Sequence, residues 1–268
     1  MAKIDILLPY WGDFELLRKA VESVVAQTET NWQLLVFDDH YPSDEAKKYF
    51  KTINDRRITY FRHSKNLGIT KNFNYALNAS TAKYCVMLGC DDILLPNYIA
   101  RALDQIGDAD FYQPNVEVID EDDKVYLPVV DKVKKLLRPN KPGLYSGEKL
   151  ATSLCHGNWL YFPSIMWRAA SIRQYGFDEK YKIVEDVALE LNLIMYGGIL
   201  FLDNEVTFQY RRSAKSLSSK ETVKGGVRFT EENKVYDDFA KEFKEIGWRK
   251  ASRAAKLRII SRIHQLMA

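Results

Sequence analysis

Short, almost wholly apolar runs alternate with more polar stretches through the first hundred residues of the chain. The segments KIDILLPY, WQLLVFDD, RITYFRH and KYCVMLGCDD read as strands, and residues 13–27, 69–79 and 97–106 read as helices. The strands at 4–8, 34–37 and 84–88 are nearly all apolar, as strands covered on both faces are. Strand and helix in alternation predict βαβ units, and so an α/β fold around a mostly parallel sheet. From about residue 110 the pattern loosens. DEDDKVYLPVVDKVKKLLRPNKPGLYSGEKL is charged and broken by Pro and Gly, which predicts an excursion containing a strand pair. GNWLYFPSIMWRAA then reads as a strand, VEDVALELNLIMYGG as a helix stopped by Gly197-Gly198, and ILFLDNEVTFQYRR as a further strand.

In sheets of this kind, ligands bind beyond the carboxyl ends of the strands. The first, second and fourth predicted strands end in Pro9-Tyr10-Trp11, Asp38-Asp39 and Asp91-Asp92, so aromatic and acidic groups collect on one edge. Adjacent carboxylates repel, and a pair such as Asp91-Asp92 is costly unless a turn, water or a cation takes up the charge. A second pair, Glu185-Asp186, opens a predicted helix. It can serve simply as a complement to the helix dipole, or one member can act as a general base.

The chain has 268 residues, 46% of them hydrophobic, enough for one large α/β domain or two small ones. A net charge of +3, from 39 basic and 36 acidic residues, gives no reason to expect a nucleic-acid partner. Three cysteines without CxxC spacing argue for a reducing compartment, with the cytoplasm the default. No apolar window approaches the length of about 18 residues that a membrane span needs. Several chemistries drop out. No phosphate loop follows the pattern GxxxxGK[ST], and no GxGxxG follows the first strand. The four histidines lack metal-ligand spacing, and no GxSxG elbow occurs. Oxygen ligands at a strand end suit Mg²⁺ or Mn²⁺ shared with substrate phosphates.

Five pieces in order, ILLPYWGDFELLRKAVESVVAQT, WQLLVFDDHYPSD, NLGITKNFNYALNASTAKYCVMLGCDD, VEDVALEL and YRRSAKSLS, resemble glycosyltransferase family two, from about residue 3 to 218. The resemblance implies a GT-A fold, Rossmann-like with a central sheet flanked by helices, here carrying a helical C-terminal tail. It implies an inverting transfer of a sugar from a nucleoside-diphosphate sugar, with a UDP-sugar favoured, to a hydroxyl of a glycan, lipid-linked or protein acceptor. Pro9 and Tyr10 would line the nucleotide site and Asp38 would accept from the base. Lys71 and Arg211, with Arg212 a further candidate, would approach the diphosphate. Asp91, with Asp92 beside it, would hold Mn²⁺ or Mg²⁺, while Asp186 would act as base and Glu185 would assist it.

Two positions depart from the family pattern. The common LDxDD reads here Leu88-Gly89-Cys90-Asp91-Asp92, and the histidine of YRxHxxS is Ser213. These departures leave a rival reading, a non-catalytic nucleotide- or carbohydrate-binding relative. The acceptor segment offers His156 and Trp159 as candidates. The implied division is 1–105 for the nucleotide-sugar half, 106–220 for the acceptor and catalytic half, and 221–268 for a basic tail. Leu257, Ile260, Ile263 and Leu266 fall there at helical spacing. That tail reads as a helix packed on the domain with a solvated basic face, as a peripheral contact at the inner membrane face, or as an oligomer contact.

Overall fold

The structure is a computed structural model that describes residues 4–212 and 227–259. In chain order it comprises β1 (Ile4–Tyr10), α1 (Phe14–Val25), β2 (Trp32–Asp38), α2 (Glu45–Thr52), β3 (Ile58–Arg62), α3 (Ile69–Ala79) and β4 (Tyr84–Met87). There follow β5 (Ile93–Leu94), α4 (Tyr98–Gln105), β6 (Phe111–Ile119), α5 (Val129–Leu137), β7 (Gly143–Ser146), α6 (Gly147–His156) and β8 (Met166–Arg168). The last described elements are α7 (Ala169–Tyr175), α8 (Glu185–Met195), β9 (Ile199–Arg211), α9 (Val227–Glu245) and α10 (Arg249–Leu257).

The strands form one sheet in the order β3-β2-β1-β4-β8-β6-β9-β5, with β7 also on β9. The first four are parallel throughout. Beyond β4 the sheet is mixed. β8 runs antiparallel to both β4 and β6, whereas β6 and β9 are parallel. The expectation of a parallel sheet therefore describes the first half, and the whole is a mixed α/β sheet flanked by helices. Along β1, Ile4, Ile6, Leu8 and Tyr10 enter the core that also holds Leu17, Val21 and Val24 of α1, while Leu7 enters the opposite core with Trp159, Trp167, α6 and α8. Helix α1 starts where it does because Asp13 caps it, accepting from the amides of Glu15 and Leu16 at 2.8 and 3.3 Å.

Two sequence expectations are corrected. The excursion holds a single described strand, β7, together with α5 and α6, because the apolar residues of VVDKVKKLL recur at helical rather than alternating spacing. The segment expected as one strand at GNWLYFPSIMWRAA is a strand only at Met166–Arg168. Before it, the amides of Leu160 and Tyr161 bond to the side chains of Asn158 and Gln113, and Pro163 lies in a 3₁₀ turn, so this backbone has little left for a ladder. In the tail, α10 packs on α6 and α9 through Ala251, Ala254 and Ala255, with Arg249, Lys250, Arg253 and Lys256 exposed. Ile260, Ile263 and Leu266 lie outside the described residues. Among those residues no helix is long and apolar enough to cross a membrane.

Candidate active site

The edge formed by the ends of β1, β2 and β4 carries the first group of candidates. Pro9 is half-buried. Tyr10 is only 1% exposed, and its hydroxyl donates to the Gly12 carbonyl at 3.0 Å. The neighbouring Trp11 is 51% exposed and stands edge-on to Tyr41 at 5.3 Å between ring centroids. Of these two rings, Trp11 is the one exposed at this edge. Asp38 is enclosed by its own chain: one oxygen accepts from the Tyr41 amide at 2.8 Å, the other from the Tyr60 hydroxyl, and Arg62 stands 3.5 Å away. It orders the turn after β2. Beside it opens a cleft of about 490 Å³ lined by His40, Asp44, Lys47, Tyr60, Arg62 and His63.

Asp39 performs a related service for α3. Its two oxygens accept from the amides of Leu67 and Gly68 at 2.6 and 2.9 Å, and Gly68 adopts φ +85, a conformation glycine reaches without strain. This fixes the turn that leads to Lys71, whose side chain is 58% exposed and 3.9 Å from Glu179.

The CDD turn is held from across the sheet. Asp92 is 1% exposed, and one of its oxygens accepts from the Arg211 amide at 2.8 Å. The Arg211 guanidinium, whose side chain is fully buried, donates to the Asp91 carbonyl at 2.8 Å and to Asp120 O and Asp123 Oδ1 at 2.5 Å each. Arg211 is therefore committed to joining the CDD turn to the 120–123 turn. Burial raises the Asp91 carboxyl, and burial followed by the charge of Asp91 carries Asp92 well above the usual carboxylate range. At Gly89 a Cβ would lie 2.4 Å from Asp92 Oδ2, so a side chain at this position requires that carboxylate to move.

Two neighbouring carboxylates fit a hard divalent cation, which takes oxygen ligands and offsets their repulsion. Among the described residues no cluster of three or more His, Cys, Asp or Glu side chains forms a metal site, so carbonyls, water or substrate would complete the coordination. Cys155 is buried and its thiol is pushed up to about 12, which leaves no thiolate nucleophile beside His156.

The second carboxylate pair opens α8, at the end where the helix dipole favours negative charge. Glu185 is 3% exposed, its Oε2 has no hydrogen-bond partner, and burial together with the neighbouring Asp186 pushes its carboxyl up to about 8. Asp186 is half-buried and accepts from the Val187 amide at 2.8 Å. Burial raises its carboxyl, and that amide, Arg228 and Lys134 pull it back down. A third carboxylate, Glu190, lies one turn further on; it is 1% exposed, and one oxygen accepts from Asn158 at 2.7 Å. No motif marks Glu190, Asp131 or Lys134, and only their side-chain contacts reveal them.

Among the acceptor candidates, His156 is half-buried at the end of α6. Trp159 is 1% exposed and donates its indole N–H to Ser153 at 3.1 Å, so its ring belongs to the core in this conformation. Ser213 lies outside the described residues.

The family model of glycosyl transferase family 2 matches residues 5–169. An uncharacterized glycosyltransferase of Rickettsia typhi is 28% identical over 218 residues, which is 78% of this chain and 63% of that protein. This chain thus spans less than two thirds of that relative's length. Among solved structures, the mannosyltransferase of Pyrobaculum calidifontis in complex with GDP-Man and Mn²⁺ superposes with a TM-score of 0.71 at 12% identity, covering 98% of this chain and 72% of that one. TarS of S. aureus in complex with UDP-GlcNAc gives 0.67 at 13% identity, covering 87% and 65%. At such identities these two establish the fold, which is that of GT-A glycosyltransferases. With 165 contiguous residues under the family model, from β1 through the CDD turn to the first residue of α7, the chain belongs to glycosyl transferase family 2.

Proposed function

We propose that the protein transfers a sugar from a nucleoside diphosphate, UDP for preference, to a hydroxyl of a glycan, lipid-linked or protein acceptor, with inversion at the anomeric carbon. The observation that carries this reading is the Asp91-Asp92 pair, half-buried and buried respectively, clamped by Arg211 on the edge where Trp11 is exposed. Further support comes from the nucleotide sugars held by two proteins of the same fold, UDP-GlcNAc in TarS and GDP-Man with Mn²⁺ in the mannosyltransferase.

In this reading the base stacks on Trp11, and Lys71 approaches the diphosphate. Asp91, with Asp92 beside it, would hold Mn²⁺ or Mg²⁺, which when bound neutralises phosphate charge. Asp186 takes the proton of the acceptor hydroxyl as that oxygen forms its bond to the anomeric carbon. The bond from that carbon to the diphosphate oxygen breaks on the opposite face, and its electron pair leaves with the nucleoside diphosphate. A base whose carboxyl burial has raised holds that proton better than a solvated aspartate does. Glu185, largely protonated near neutrality, adds no second negative charge beside it. Residues 1–105 serve the donor, 106–220 the acceptor and the chemistry, and 221–268 the basic tail. The compartment assigned is the cytoplasm.

The test is release of nucleoside diphosphate from UDP-sugars and GDP-mannose, with and without Mn²⁺, by the wild type and by Asp186→Asn. Release by the wild type and a loss of about 100-fold or more in Asp186→Asn support the reading. Equal release by both removes Asp186 as the base.

A further inference from the structure

Six large apolar side chains exposed to solvent fall between residues 125 and 136, and no other stretch of the described chain gathers as many. Val125 and Val129 are each 60% exposed and Leu136 is 85% exposed, with Tyr126, Leu127 and Val130 exposed beside them. Local structure explains why they face outward. Residues 124–126 fold back on the end of β6, where the Tyr126 amide donates to the Val118 carbonyl and the Asp120 amide to the Lys124 carbonyl, both at 3.0 Å. On α5 the inner face is fixed by polar groups. Asp131 is fully buried and accepts from the Tyr161 hydroxyl at 2.7 Å and from two nitrogens of Arg212 at 2.9 Å each, and Lys134 donates to the Leu160 carbonyl at 2.6 Å. The helix therefore presents Val129, Lys132 and Leu136 together on its outer face, at i, i+3 and i+7.

The charge interleaved with these side chains is cationic. Lys132 and Lys135 are exposed on α5. The neighbouring aspartates are engaged: Asp131 by Arg212, Asp123 by Lys19 and Arg211, and Asp122 by Lys124 at 3.8 Å, while Glu121 stands at the tip of the turn, four residues before Val125. Aliphatic side chains with lysines among them fit an anionic lipid surface, which takes the former at its acyl boundary and the latter at its phosphates. A second copy of the chain seated on the same patch would instead set the lysines of two molecules against each other. The patch also adjoins the candidate site, because the Arg211 guanidinium ties the 120–123 turn to the CDD turn.

We propose that the 125–136 face docks on an anionic membrane: Val125, Leu127, Val129 and Leu136 enter the headgroup region, and Lys132 and Lys135 meet the lipid phosphates. The contact is made by α5 rather than by α10, whose Ala251, Ala254 and Ala255 are already packed against α6 and α9. Docking by this face sets the CDD turn beside the bilayer, within reach of a lipid-linked acceptor. That meaning, though not the surface itself, rests on the transferase reading.

The test is co-sedimentation of the intact chain, at low salt and without nucleotide sugar, with vesicles of phosphatidylcholine alone or mixed with phosphatidylglycerol. The wild type binds the anionic vesicles roughly tenfold or more tightly than the neutral ones. Val129→Asp combined with Leu136→Asp weakens that binding roughly tenfold or more, and Lys132→Gln combined with Lys135→Gln does the same. Both double variants melt within about 2 °C of the wild type, as exposed positions allow. Arg249→Gln, Lys250→Gln and Arg253→Gln together leave binding unchanged. No binding to anionic vesicles, or binding that survives both α5 double variants, overturns the proposal. A wild type that sediments as a dimer, dissociated by Leu136→Asp, also overturns it, since the patch is then an interface between copies. Because no sugar donor is present, vesicle binding is decided separately from whether the protein transfers sugar.

Discussion

Restoring the family's first aspartate at position 89 should damage this protein. In Gly89→Asp the new Cβ falls 2.4 Å from Asp92 Oδ2, 3.2 Å from the Asp92 carboxyl carbon and 3.3 Å from Asp91 Oδ1. Backbone strain plays no part, since Gly89 is not among the glycines with positive φ. Relief requires the Asp92 carboxylate to swing away from the Arg211 amide that it binds at 2.8 Å. Leaving that amide buried without a partner costs about 1–3 kcal/mol. A third carboxylate beside Asp91 and the buried Asp92 adds ~1 kcal/mol. The sum, about 2–4 kcal/mol, corresponds to a fall in melting temperature of roughly 5–15 °C for a chain of this size. Thermal denaturation followed by circular dichroism, in chelator to exclude metal rescue, measures it, and Gly89→Ala should show a smaller loss of the same sign. A Gly89→Asp protein that melts within about 1 °C of the wild type would refute the steric account of position 89.

Other substitutions separate groups that bind ligand from groups that hold the edge together. Trp11→Ala should leave the melting temperature nearly unchanged, the residue being half exposed, yet weaken nucleotide binding roughly tenfold in calorimetry. Arg211→Met should lower stability by about 1–3 kcal/mol in urea titrations, since it removes the donor to the Asp91 carbonyl and cuts the link from the CDD turn to Asp120 and Asp123, which keep partners in the Asp123 amide and Lys19. Glu185 links stability to pH. Its folded-state value of about 8 exceeds the ordinary one, 4.5, so the native state binds the proton more tightly. Its contribution is therefore favourable at low pH and is lost as pH rises from about 5 to 8, by at most ~5 kcal/mol. Glu185→Gln should gain stability over the wild type at pH 8 and little at pH 5, and a difference independent of pH in urea midpoints would contradict the burial argument.

The first half of the fold was legible because parallel strands covered on both faces leave continuous apolar runs, and because Asp13 marks the start of α1. Ile4, Ile6, Leu8 and Tyr10 share one face of β1, so Tyr10 continues a core-facing row and Trp11 is the residue released from it. The second half was harder. Side chains rather than a ladder satisfy the amides of Leu160 and Tyr161, and the helical spacing of α5 was masked by its surrounding charges and prolines. The carboxylate pairs were visible as pairs, but what encloses them was not. Asp92 meets Arg211 across 119 positions of sequence and Tyr161 meets Asp131 across 30, distances over which spacing carries no information.

The central claim, a cation-assisted nucleotide-sugar site at the CDD turn, is tested most directly by calorimetric titration of UDP, dTDP, GDP and CDP with and without Mn²⁺. The proteins to compare are the wild type, Asp91→Asn and Asp186→Asn. The account predicts Mn²⁺-dependent binding of one nucleotide that is lost in Asp91→Asn and retained in Asp186→Asn, a carboxylate placed for the acceptor rather than the nucleotide. Binding unaffected by Asp91→Asn, or no binding of any of the four, would contradict it.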